Sequence, residues 1–216
     1  MAIKITKTGD WEVARFALAT GKTATAPAIK RALSQEANWM RKVVVQGIRR
    51  QRPGGQTFAK LSPMTIAARR LQGFRGRKAL IRNGDLIAAI NVKRFNSGWG
   101  AFVGILRTAK GSGGEKLVNV ARAHEEGIGP FVVRMTDRMR RFLFAAMAAS
   151  NIKPKSDGDG GGSGTGVIVI KVQARPFFAP TFKKIAKPAD VKDRMLRRVN
   201  MNMANVFGRT TKKPPT

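Results

Sequence analysis

The residues able to do chemistry in this chain are few. One histidine, His124, sits in Ala123-His124-Glu125-Glu126-Gly127. A zinc-protease helix needs a second histidine four residues on, and position 128 is Ile128. No Gly-x-Ser-x-Gly elbow frames a serine nucleophile. Cysteine is absent, so disulfides, thiolate zinc sites and cysteine nucleophiles are excluded. Gly21-Lys22-Thr23 has the ending of a phosphate-binding loop, but the first glycine of that motif would fall at Phe16. The glycine run at 158–166 fits no register of Gly-x-Gly-x-x-Gly, and it precedes a strand where a dinucleotide loop would follow one. Asp157 and Asp159 could begin a calcium loop, whose bidentate glutamate would then stand at Ile168. Acid–base catalysis commonly uses paired carboxylates. The notable pair here is Glu125-Glu126, and adjacent helical residues point apart. These residues point away from an enzyme and toward no cofactor and no metal.

Charge is the stronger signal. Lys and Arg number 42 against 12 Asp and Glu, a net charge of +30. The excess runs through the chain: between Ala37 and Gly114 the only acid is Asp85. Such a surface repels itself and attracts polyanions, of which nucleic acid is the commonest. The densest cluster is Arg69, Arg70, Arg75, Arg77 and Lys78, followed by Arg82, with Phe74 interleaved. It is the candidate contact for nucleic acid or a partner. No helix-turn-helix, zinc-finger or RNP signature accompanies it. Any contact with DNA would then be to backbone phosphate, non-specific and salt-sensitive. The other reading of the cluster is a solvated face or one that meets an acidic protein.

The elements that must carry these residues can be read from periodicity and breakers. Ile3 and Ile5 alternate with polar residues, which predicts a short strand at 2–8. Trp11–Leu18 predicts a short helix and Gly21–Ala26 a linker. Ile29, Leu33, Ala37, Met40, Val44 and Ile48 form one stripe, predicting a helix over about 27–51 with Pro27 in its first turn. Ser62 and Pro63 open a second helix as N-cap and first residue, ending near Gly73. One or two helical turns are expected over Leu86–Ile90, then an antiparallel pair, Ile90–Phe95 and Ala101–Leu106. A helix over Leu117–Glu126, a strand over Phe131–Met135 and a Thr136-capped helix to Ser150 follow. Residues 153–166 read as a flexible glycine-rich loop. Val167–Val172 is a nearly continuous β-branched run, which predicts a buried strand. A terminal helix over about 188–207 carries Val191, Met195, Val199 and Met203 on one stripe, with Gly208 just past its end.

The sum is an α+β protein: a small, mostly antiparallel sheet packed by one long helix and a C-terminal helix. With 43% hydrophobic residues the chain can bury a core. Its 216 residues suit a single domain, 1–216, with a core at about 27–207, an N-terminal extension at 1–26 and a disordered tail at 209–216. No apolar run approaches the length needed to cross a bilayer, and the N-terminus lacks the apolar block of a signal peptide.

The order of several motifs resembles the virion morphogenesis and tail-completion (neck) proteins of tailed bacteriophages. After the long helix come Gly54-Gly55-Gln56-Thr57-Phe58-Ala59-Lys60-Leu61-Ser62-Pro63-Met64-Thr65, with Phe58 where that family often has Trp. Then follow Leu80-Ile81-Arg82-Asn83-Gly84-Asp85-Leu86, with Asn83 replacing Thr, and Ala121 to Gly127 around His124. Arg175-Pro176-Phe177 precedes the terminal helix. The likeness covers about 27–205 and leaves out the first 26 residues, the high charge and the glycine-rich loop. It implies an α+β protomer in a ring at the head–tail junction, surrounding the DNA channel. Its partners would be copies of itself, other neck, portal or tail proteins and genomic DNA, with no membrane. Its place would be the virion, and the host cytoplasm during assembly. Under this resemblance Gly84, His124, Gly127, Arg175, Pro176 and Phe177 become candidates for a subunit interface or structural turns. The competing reading is a free nucleic-acid-binding protein that contacts phosphate through its basic surface.

Overall fold

The structure, a computed structural model, describes residues 11–151 and 166–210. The expected strand at 2–8 and all but Gly166 of the glycine-rich loop lie outside the described residues, as do the last six residues of the expected tail. The architecture is α+β, with seven α-helices and two small antiparallel two-stranded sheets among the described residues.

Helix α1 runs unbroken over Trp11–Arg49. The short helix and linker expected at its start are therefore one continuous element, and Pro27 lies inside it rather than at its beginning. Alanines at 17, 19, 24, 26 and 28 favour the helix strongly enough to carry it across Gly21 and Pro27. At the other end Gln51 takes a positive φ of 57°, and Pro53–Gly55 forms a 3-10 turn. Helix α2, Pro63–Leu71, begins as its sequence predicts: the Ser62 hydroxyl accepts from the Thr65 N–H. A loop leads to the short α3, Asp85–Ala88, then to β1, Ile90–Arg94, and β2, Ala101–Ile105. Helix α4 is Leu117–Glu126, β3 is Ile128–Arg134, and α5 is Asp137–Ala149 with the Thr136 hydroxyl accepting from Met139 N–H. Strand β4, Val167–Val172, is followed by α6, Phe178–Ile185, and α7, Pro188–Thr210. Helix α6 is additional to the sequence reading, and α7 continues through Gly208, which was expected beyond its end.

Two compact units can be separated. The first comprises residues up to Met40, Val92–Val103 and the chain from Ala186. Here Ala28 and Ala32 are buried on α1, one residue round from the expected Ile29–Leu33 stripe, and Glu36 follows them at 3% exposure. The reason lies on α7. Arg194 and Arg198 hold the Glu36 carboxylate at 2.8 and 3.0 Å, and Asn202 donates to the Ala28 carbonyl. Arg194 also stacks over Trp39.

The second unit, Arg41–Asn91 with Gly104–Ile185, holds the main apolar core. Val44, Ile48, Phe58, Leu80, Ile90 and Phe177 are all buried in it. Strands β3 and β4 pair antiparallel within this unit, with Val132 opposite Val169 and Arg134 opposite Val167. The sequence predicts β4 to be buried, and the structure corrects that. Val167 and Val169 are 61% and 66% exposed, and Val132 across the ribbon is 65% exposed. Only the alternate residues Ile168, Ile170 and Val172 are partly covered. Ile168 and Ile170 line an apolar groove with Leu143 and Met147 of α5. Two strands with a helix on one side leave the opposite face of the pleat bare.

Candidate functional site: an arginine-lined cavity

The basic cluster divides once it is folded. The loop from Gly73 to Asn83 is held by specific bonds. The Gln51 amide clamps Ala79 at both backbone groups, donating to its carbonyl at 3.0 Å and accepting its N–H at 2.7 Å. Arg69, on the last turn of α2, donates Nη1 to the Lys78 carbonyl at 2.8 Å, with the carbonyls of Gly76 and Ile81 at 3.4 Å. Lys78 reaches the Arg49 carbonyl at the end of α1 with its ammonium, 3.0 Å away. Its charge thus sits at the negative end of that helix. Arg70, Arg75 and Arg77 are exposed and line none of the cavities described here.

Arg69 and Arg82 face a cavity of about 290 Å³, together with His124 from α4 and Arg175 from the segment after β4. Leu61, Thr65, Leu80, Leu86, Leu117 and Val120 supply most of its other walls. Residues more than a hundred positions apart in the chain meet here, and the resemblance had named two of them, His124 and Arg175. Arg175 is fixed by its backbone N–H, which donates to the His124 carbonyl at 2.6 Å, and its Nε approaches the Ala59 carbonyl at 3.4 Å. The Arg82 guanidinium lies over the Phe74 ring, 4.6 Å from its centroid. Among the described residues none of Arg69, Arg82 and Arg175 forms a salt bridge.

The electrostatics follow from this crowding. Burial, then the charges of Arg82 and Arg175, lower the pKa of Arg69. Burial, then Arg175 and Arg69, hold His124 below the usual imidazole range. Its Nδ1 is fully buried without a hydrogen-bond partner among the described residues. Two acids also border the cavity, and both heads are engaged or turned toward one loop. Asp85 accepts from the Ser112 N–H and hydroxyl at 2.7 and 2.8 Å and from Asn83 Nδ2 at 2.7 Å. These bonds, the backbone one first, lower its pKa. The Glu115 carboxylate lies so close to Gly111 and Gly113 that a Cβ at either glycine would collide with it.

The remaining candidates act as structure. Gly84 takes φ +93° at the start of α3. Gly127 takes φ +73° at the end of α4, where a Cβ would also press on the Val172 carbonyl at 3.1 Å. Pro176 leads into Phe177, which is fully buried in the core. Sequence reasoning weighed Glu125 only as half of an acid–base pair with Glu126, and its structural task is different. Its carboxylate accepts the N–H groups of Phe177 and Phe178 at 2.8 and 2.5 Å and so caps the start of α6. Also missed is the aromatic pair on the expected β1–β2 hairpin, where Phe95 and Trp99 are 56% and 57% exposed and the Lys30 ammonium lies over the Trp99 ring at 5.3 Å. An aromatic pair among Lys and Arg was the available signal. Among the described residues no group of three or more His, Asp or Glu could hold a metal ion, and no helix is long and apolar enough to cross a membrane. Compared with protein-family models, curated proteins and solved structures, the chain matches none.

Proposed function

We propose that this chain is a structural protein of the neck or tail-completion class of tailed bacteriophages, one protomer of a ring at the head–tail junction around the DNA channel, with no catalytic task. The observation that carries the reading is the bare face of the β3–β4 ribbon. The run Val167-Ile168-Val169-Ile170 has the composition of a strand covered on both sides, yet Val132, Val167 and Val169 face solvent. An apolar face of this kind on a protein of charge +30 suits a surface covered on assembly. Covering one such side chain contributes about 1.5 kcal/mol or more. The resemblance supplies the class, and its scattered motifs converge: Leu61, Leu80, Leu86, His124 and Arg175 line one cavity. The basic surface would then face DNA in the channel or acidic portal and tail partners. Imaging of purified virions, with mass spectrometry of their proteins, tests this. The chain is expected in a ring at the neck; its absence from virions would refute the reading.

A second reading, a free non-sequence-specific nucleic-acid-binding protein, draws on the exposed Arg70, Arg75 and Arg77 and on the exposed Phe95 and Trp99 of the hairpin. Aromatic faces among cations suit single-stranded bases. Binding would fall steeply with added salt. Negligible affinity for DNA and RNA at low salt would remove this reading.

A further inference from the structure

We propose that the cavity between α2, α4 and the segment after β4 is a receptor for a phosphate group, bound by Arg69, Arg82 and Arg175. The proposal does not depend on the ring reading, since every residue it uses belongs to one unit of one chain.

Arg69, Arg82 and Arg175 bring three positive charges to one cavity, against which Asp85 feels only Arg82. Three guanidinium groups border a space of about 290 Å³, and among the described residues none is in a salt bridge. Asp85 is held by Ser112 and Asn83, while Glu115 is turned onto Gly111 and Gly113. The arginines also keep donors in hand. Arg69 uses Nη1 on loop carbonyls, Arg175 offers only Nε to Ala59, and Arg82 is placed by its stacking on Phe74. Bringing like charges together is unfavourable unless an anion joins them. Burial first, and then the neighbouring guanidiniums, lower the pKa of both Arg69 and His124.

The chemistry selects the ligand. A guanidinium donates in a planar fork that matches two oxygens of a phosphate or a carboxylate. Three forks from different directions exceed what one carboxylate can accept, while a tetrahedral phosphate presents oxygens to each. Two sources share this chemistry: free inorganic phosphate, and the terminal phosphate of a nucleotide or nucleic-acid end.

Titration calorimetry of the full chain with inorganic phosphate, at about 150 mM NaCl to screen its diffuse surface charge, tests the proposal. One phosphate per chain is expected. Arg175→Gln and Arg82→Gln should each weaken binding by about tenfold or more. The control variant Arg75→Gln/Arg77→Gln, which removes two charges outside the cavity, should bind as the wild type does. Should Arg175→Gln fail to fold by circular dichroism, Arg82→Gln, whose side chain is exposed, carries the test. A 5′-phosphorylated oligonucleotide that binds more tightly than both phosphate and the unphosphorylated strand identifies a nucleic-acid end as the source. No gain over phosphate identifies the free ion. Absence of one-to-one binding, equal loss in the Arg75/Arg77 control, or displacement of phosphate by equimolar glutamate would each overturn the assignment.

Discussion

The arginine-lined cavity and the β3–β4 ribbon are each incomplete in the single chain, in opposite ways. The cavity gathers charge behind apolar walls and, among the described residues, leaves three guanidiniums without a salt bridge. The ribbon carries apolar side chains outward and leaves Val132, Val167 and Val169 without cover. Charge in a recess is met by something small enough to enter it. An apolar face on a flat ribbon is met by another protein surface. The difference separates two kinds of partner that total charge would merge. The +30 of the chain speaks for polyanions in general, whereas the geometry sets a recess lined by arginines at one place and a bare apolar face at another.

The largest expected effect breaks both regions together. Phe177 is fully buried where the chain leaves β4 and enters α6, and its N–H is held by Glu125. Phe177→Ala should cost about 3–5 kcal/mol of stability, read by denaturant unfolding, and remove phosphate binding and assembly at once. Gln51→Ala should act on the cavity side alone. It leaves both backbone groups of buried Ala79 without the amide, a cost of about 1–3 kcal/mol, and loosens the loop that carries Arg82. Phosphate affinity should fall while self-association is kept. Gly127→Ala forces a side chain into φ +73° against the Val172 carbonyl. About 1–3 kcal/mol is expected from the backbone alone, in a thermal melt, with the strain felt at the end of β4.

The smallest effect is one of pH. His124 has its imidazole pKa lowered by burial and by Arg175 and Arg69. The unfolded chain therefore binds more protons at this site, and folding stability rises with pH through the window. The contribution is intact above the unfolded value of about 6.5 and is lost as pH falls below it. Melting temperatures between about pH 7.5 and 5.5 should fall more for the wild type than for His124→Asn. Asp85, whose pKa is lowered by Ser112 and Asn83, acts in a separate, lower window: its stabilisation is present above the usual aspartate value and lost as pH drops through the depressed one.

Much of the fold was legible because its signals are local. The Ser62 and Thr136 hydroxyls cap α2 and α5 as their sequence neighbours require, and α4 spans the residues its pattern marks. What was hidden depends on distant chain. Helix α6 begins on a carboxylate from Glu125, more than fifty residues away, and Pro180 in its first turn reads locally as a breaker although no N–H is needed there. Ala37, Val44 and Ile48 of α1 are buried as their spacing predicts, but before them the buried face shifts to Ala28, Ala32 and Glu36, where Arg194 and Arg198 hold the carboxylate. In the site, Arg69 and Arg82 stood out as part of a basic run, but nothing local separates them from Arg70, Arg75 and Arg77. The bonds of Arg69 to the loop and the arrival of Arg175 make that distinction. The exposure of Val167 and Val169 was likewise unreadable, because composition reports that a strand wants cover and not which molecule provides it.

Light scattering coupled to size-exclusion chromatography tests the central claim, that the ribbon face is where this protein assembles. The wild type should elute with the mass of several chains, and rings should be visible in negative stain. Val169→Lys, at a side chain 66% exposed, should give the mass of one chain with an unchanged circular dichroism spectrum. A wild type that stays monomeric at high protein concentration, or a Val169→Lys variant that assembles as the wild type does, would contradict it.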